Sequence, residues 1–176
     1  MLQELELQSL IALSYYPNLK DINIRFQYSN ISTTMQCRPT FCSVFKKAKH
    51  REYIIYVNNN KKFEGGTIDS VPFNAQIGII SHELAHVVDY EKLTSYGIIK
   101  RGLSYLTLKT KSKYEYYIDE ICIKEGLGWQ LYDWSDFELN RSKATRRYKE
   151  FKRKIYMSPF QIEQIILNHQ IYKYCR

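Results

Sequence analysis

The stretch from Ala75 to Tyr90 limits the fold more than any other part of the chain. It runs without a proline, is interrupted only by Gly78, and carries His82-Glu83-Leu84-Ala85-His86 among Ile79, Ile80, Val87 and Val88. Pro72, just ahead, suits a first helical turn. A stretch of this kind is a long helix, and apolar residues around both histidines embed it in a core. Four residues advance a helix by roughly 400°, so His82 and His86 stand one above the other with Cβ atoms about 5–6 Å apart. Both imidazoles can then hold one metal ion. Glu83 is rotated by about 100° from His82, which puts its carboxylate beside such an ion rather than on it. From there it can take a proton from water and pass it to a leaving group. With 4 His and 12 Glu in 176 residues, a random order produces this H-E-x-x-H triple only about 0.006 times per chain.

The rest of the chain has to enclose that helix. At 176 residues and 44% hydrophobic, it suits one globular domain, 1–176, with a sizeable core. Leu2, Leu5, Leu10 and Leu13 predict an amphipathic first helix that ends before Pro17. Residues 21–28 alternate Ile22, Ile24, Phe26 and Tyr28 with polar residues, the pattern of a half-buried strand. Further strands are expected at 41–45 and 52–57, followed by a loop at 61–70 containing Gly65 and Gly66. Three short strands in succession predict a small, mostly antiparallel sheet, and hence an α+β fold. A looser stretch with Gly97 and Gly102 leads to a second long helix, 113–131, and the chain closes with a basic segment, 141–154, and a last helix, 159–172. There is no internal repeat or low-complexity tract.

No apolar run approaches the roughly 18 residues that cross a bilayer, so no transmembrane segment is expected. Glu4 and Glu6 stand where a secretory signal carries Lys or Arg, and the expected location is cytoplasmic. The cysteines at 37, 42, 122 and 175 are too few and scattered for a disulfide framework and are read as free thiols.

A catalytic zinc needs a third protein ligand. Asp89, Glu91, Glu115, Asp119, Glu120, Glu125 and His169 are all available. Asp89 is two turns beyond His82, about 10.5 Å of rise away, and is expected to play a supporting part. Glu115 is better placed: it lies on the next long helix, with Asp119 at i+4 on the same face. A carboxylate one turn from a ligand is what a metal-bound His needs as acceptor for its other N–H.

The pair His82-Glu83-x-x-His86 and Glu115-x-x-x-Asp119 resembles the gluzincin metallopeptidases, the group that contains the thermolysin-like enzymes. The resemblance covers about 45 residues, from Gly78 to Ile123. It implies His82, His86 and Glu115 as zinc ligands, Glu83 as general base and Asp119 as the partner of a ligand histidine. It also implies a zincin-like fold, with the sheet packed on the H-E-x-x-H helix and a second ligand-bearing helix, and hydrolysis of a peptide or protein substrate. Tyr114 stands where thermolysin-like enzymes have Asn, and this chain is far shorter than theirs.

Zn²⁺ is the expected cofactor, although two histidines and a carboxylate also suit Fe(II), Co²⁺ or Ni²⁺. Tyr96, Tyr105, Tyr114, Tyr117 and His169 are candidate donors to a developing oxyanion. Strand 52–57 is a candidate sheet edge beside the cleft, able to pair with an extended peptide. The formal charge of +8 allows an acidic partner without establishing one. Nearly all of it belongs to 141–154, where eight basic residues accompany one acidic. The alternative to an enzyme is therefore a nucleic-acid-associated or regulatory protein that binds through this segment, against the plainer reading of a solvated helix face. Cys37, Cys42 and His50 lack the spacing of a second zinc site, and Trp129 and Trp134 are read as core or boundary aromatics.

Overall fold

The computed structural model describes residues 2–173. Three short strands form its sheet: β1 (Asn23–Ser29), β2 (Met35–Pro39) and β3 (Glu52–Asn58). They lie in the order β1-β3-β2. β1 runs parallel to β3, with Asn23 opposite Glu52 and Ser29 opposite Asn58. β2 runs antiparallel to it, with Met35 opposite Val57 and Pro39 opposite Tyr53. The sheet is therefore mixed rather than mostly antiparallel. β3 is its central strand, with Tyr53, Ile55 and Val57 buried at alternate positions, so strand 52–57 is not an edge. The edge nearest the long helix is β2.

The expected strand at 41–45 is a 3₁₀ run, Phe41–Phe45. Pro39 ends β2 because it has no N–H to continue a ladder. The chain then turns on Ser43, whose N–H bonds the Thr40 carbonyl and whose hydroxyl reaches the carbonyls of Thr40 and Glu52. With the backbone satisfied inside the turn, Phe41 and Phe45 are left in solvent.

Helix α1 (Glu6–Ser14) follows a 3₁₀ turn at Gln3–Leu5 and buries Gln8, Ser9 and Ala12; of the expected leucine stripe, Leu5 is in the core and Leu2 and Leu13 pack against it, while Leu10 is exposed. The central element is α2 (Phe73–Glu91), buried without a break from Ile77 to Tyr90. A helix that is buried all round is enclosed on every side, and α1, β2, α4 (Leu108–Cys122) and α5 (Gly128–Asp136) all pack on α2. Between α2 and α4 lie α3 (Ser95–Gly102) and a 3₁₀ turn, Leu103–Leu106. The helix expected over 113–131 is two helices, parted at Gly126, whose φ of +98° only glycine adopts freely. Gly78 is required for a different reason: a methyl there would collide with the Gln130 carbonyl where α2 and α5 meet.

Helix α6 (Arg146–Arg153) covers the latter part of the basic segment, and α7 (Pro159–Asn168) opens on a Ser158/Gln161 capping box. The chain breaks at His169 before α8 (Gln170–Lys173), so the last expected helix is also in two pieces. Cys175 lies outside the described residues. One hydrophobic cluster takes in residues from Leu5 to Ile166. No helix among the described residues is long and apolar enough to cross a membrane.

Candidate metal centre

Packing α4 against α2 brings Glu115 onto the two histidines. Glu115 Oε2 lies 3.2 Å from His82 Nε2 and 3.5 Å from His86 Nε2. The ring centroids of His82 and His86 are 4.9 Å apart and nearly perpendicular. Among the described residues this is the one cluster of three or more His, Cys, Asp or Glu side chains whose donor atoms converge closely enough for a metal ion. All three are buried.

The outer side of each ring is already engaged. His82 Nδ1 is 2.8 Å from Asp119 Oδ1, and that carboxylate's other oxygen accepts the Met157 N–H. An acceptor-only partner assigns the His82 proton to Nδ1. His86 Nδ1 is 3.1 Å from the Tyr114 hydroxyl, which itself donates to Asp89 Oδ2. Since that hydroxyl spends its hydrogen on Asp89, it accepts from His86, and the His86 proton is also on Nδ1. Arg101 completes the chain by donating to Asp89 Oδ1 at 2.9 Å, with its guanidinium 4.4 Å from the Tyr114 ring centre. Both Nε2 atoms are left facing Glu115.

That donor set fits a zinc-like ion. Tetrahedral ligands about 2.0–2.1 Å from zinc lie about 3.3 Å from one another, close to the separations of Glu115 Oε2 from the two Nε2 atoms. The electrostatics agree. Burial alone lowers the pKa of His82, but the hydrogen bonds to Asp119 and Glu115 outweigh it and raise it from 6.5 to about 10. Burial works against ionisation of Glu115, yet its hydrogen bonds with His82 and His86 hold its carboxyl well below the usual carboxylate range. The Glu115 carboxylate is thus balanced by positive charge on His82.

Glu83 is not among the converging donors. Its Oε2 accepts the Cys37 N–H at 2.6 Å, so the edge strand β2 fixes the carboxylate. Cys37 is buried and Cys42 exposed. Of the candidate oxyanion donors, Tyr114 is committed between His86 and Asp89, and Tyr96 points to solvent. Tyr117 lies against Arg101, and His169 packs on Tyr172. Tyr105, 39% exposed, stays close, its ring edge-on to Tyr114: partial burial and the charge of Glu115 push its phenol up.

Sequence reasoning missed Tyr156, whose ring is 5.7 Å from that of His82. Burial and then Glu115 push its hydroxyl well up too. Nothing in local spacing marks it, because it arrives from 37 positions beyond Asp119. Behind it, Lys152 Nζ sits 4.0 Å from the Tyr156 ring centre and forms a buried ion pair with Glu138 at 3.1 Å. A concavity of about 790 Å³ lies elsewhere, lined by Asn58, Lys61, Phe137 and Arg141 among others. Comparison with protein-family models, curated proteins and solved structures finds no match to this chain.

Proposed function

We propose that the protein is a zinc-dependent peptide-bond hydrolase of gluzincin type, built on a minimal zincin-like core of sheet, α2 and α4. The observation that carries this reading is the convergence of both Nε2 atoms and Glu115 Oε2 in one buried set, with each Nδ1 held from outside. His82, His86 and Glu115 would hold the metal. Bound zinc supplies a Lewis acid that polarises a carbonyl and acidifies water. Two histidines and one carboxylate favour zinc over harder ions.

The chain's own groups divide the remaining work. Asp119 fixes the His82 ring, and Tyr114, backed by Asp89 and Arg101, fixes the His86 ring. Glu83, anchored on β2, takes a proton from the attacking water and delivers it to the leaving amine. Tyr105 and Tyr156 are kept protonated by their surroundings and serve as donors to the developing oxyanion. His82, Glu83, His86 and Glu115 are each no more than 5% exposed, so a peptide reaches them only where the aromatic side chains beside them give way.

Glu83→Gln tests the assignment. It keeps the donor set and removes the base, so it retains metal and loses chelator-sensitive peptide hydrolysis by about 10²–10⁴-fold. Hydrolysis at the wild-type rate in Glu83→Gln sinks the mechanism. A second reading, binding of nucleic acid or another polyanion through 141–154, draws on the exposed Arg146 and Arg147. It has less charge to work with than the sequence promised. Lys152 is buried on Glu138, Lys149 and Arg153 bond the carbonyls of Ser142 and Leu139, and Arg146 pairs with Glu150. Salt-dependent binding to DNA or RNA that survives Arg146→Glu and Arg147→Glu rules this segment out as its source.

A further inference from the structure

A surface helix ordinarily turns its apolar stripe inward. α3 does the reverse. Tyr96, Ile99 and Leu103 follow at i, i+3 and i+7 along it and its immediate extension, one face of a helix, and all three are exposed, Tyr96 by 75%. The single buried residue of α3 is Ile98, on the opposite side. Leu106, 76% exposed, and Leu108 continue the apolar surface. The Phe41–Phe45 turn packs beside α3 and adds Phe41, 83% exposed, edge-on to the exposed Phe45. Single exposed apolar residues need no explanation, but a group of this size on adjoining segments marks an interaction surface.

The charge of the same segments has one sign. Lys92, Lys100, Arg101, Lys109, Lys111 and Lys113 lie between 92 and 114 with no Asp or Glu among them, and residues 40–51 hold Lys46, Lys47, Lys49 and Arg51, again with no acid. Arg51 and Arg101 are bonded inward to Tyr90, Leu93 and Asp89, and Lys46 pairs with Glu52. Lys47, Lys49, Lys100 and Lys109 are exposed.

We propose that α3, the Leu103–Leu106 turn and the Phe41–Phe45 turn form a docking surface for an anionic lipid bilayer. Tyr96, Ile99 and Leu103 enter the headgroup boundary, and the neighbouring lysines stay at the lipid phosphates. Nucleic acid rewards the lysines but leaves the aliphatic tips in water. The buried centre of a protein interface is depleted in Lys. A negatively charged bilayer rewards both kinds of side chain at once, and long lysine stems bridge the two layers. The surface adjoins the metal centre, because Arg101 and Tyr105 of the same segment reach Asp89 and Tyr114. It does not depend on metal or on hydrolysis.

The full-length protein is sedimented with vesicles of phosphatidylcholine alone and with vesicles containing about one-third phosphatidylserine. Wild type is expected to partition onto the anionic vesicles, and less so as salt rises. Tyr96→Ser/Ile99→Ser/Leu103→Ser lowers that partitioning about tenfold or more, and Lys100→Glu/Lys109→Glu lowers it on anionic vesicles. All five positions are on the surface, and unchanged circular dichroism confirms the fold. The proposal is overturned if wild type stays in the supernatant with both vesicles. It is equally overturned if the serine variant binds as wild type does, if only Arg146→Glu/Arg147→Glu abolishes binding, or if the serine substitutions instead abolish a concentration-dependent dimer seen by analytical ultracentrifugation.

Discussion

Tyr114 was one of five side chains that the sequence offered for one role. It stood there as one possible oxyanion donor, and in the structure its hydroxyl is fixed between His86 Nδ1 and Asp89 Oδ2. The stacking of the two histidines was legible because four-residue spacing on a helix is a short-range rule. Glu115 was legible from its place on the next helix, and Asp119 from the turn between them. The Asp89–Tyr114–His86 chain and Tyr156 were not, since hydroxyl partners depend on how helices cross. Asp119→Asn keeps the shape but weakens the acceptor for His82, and should lower zinc affinity about 10–100-fold in a chelator competition titration. The charge state of His82 gives a pH test. Its pKa is raised from 6.5 to about 10 in the fold, so its contribution to stability is complete below pH 6.5 and is lost as pH rises through about 10. Melts in chelator across that window should show wild type losing stability relative to His82→Gln; parallel curves would refute the assignment.

Among the elements, the long helices were readable from periodicity and the small ones were not. Apolar residues at 41–45 fit a strand in isolation, but the local bonds of Ser43 close a turn first, and five-residue β2 is too short to show a period. Gly78 looked like an imperfection in α2, whereas it is where the backbone of α5 approaches. Helix propensity favours Gly78→Ala by about 1 kcal/mol. The collision with Gln130 should reverse that sign, destabilising the protein by about 2 kcal/mol or more in urea unfolding. α6 reads as a basic surface helix, yet it sends Lys152 inward to Glu138. Lys152→Met leaves a buried carboxylate unpaired and should cost about 3–5 kcal/mol, whereas adding Glu138→Leu should recover most of it. Calorimetry of the single and double variants decides this, and a double variant as unstable as the single one would contradict it.

For the whole molecule, the +8 charge divides differently from the way the sequence implied. Position along the chain concentrated it at 141–154, but folding turns part of that segment inward and leaves the acid-free stretches around α3 as a second basic face. The α+β class was legible; the mixed strand order was not, because parallel pairing of β1 with β3 is a long-range choice. A metal joining α2 to α4 also couples binding to folding. At free zinc about a thousandfold above Kd, binding adds about 4 kcal/mol, so chelation should lower Tm by on the order of 10 °C. The most direct test is elemental analysis of the purified protein, after equilibration with zinc and removal of excess, beside His82→Ala, His86→Ala and Glu115→Ala. Stoichiometric zinc is expected in the wild type, and its loss in each variant. Wild type without metal, or a full complement of zinc in Glu115→Ala, would contradict it.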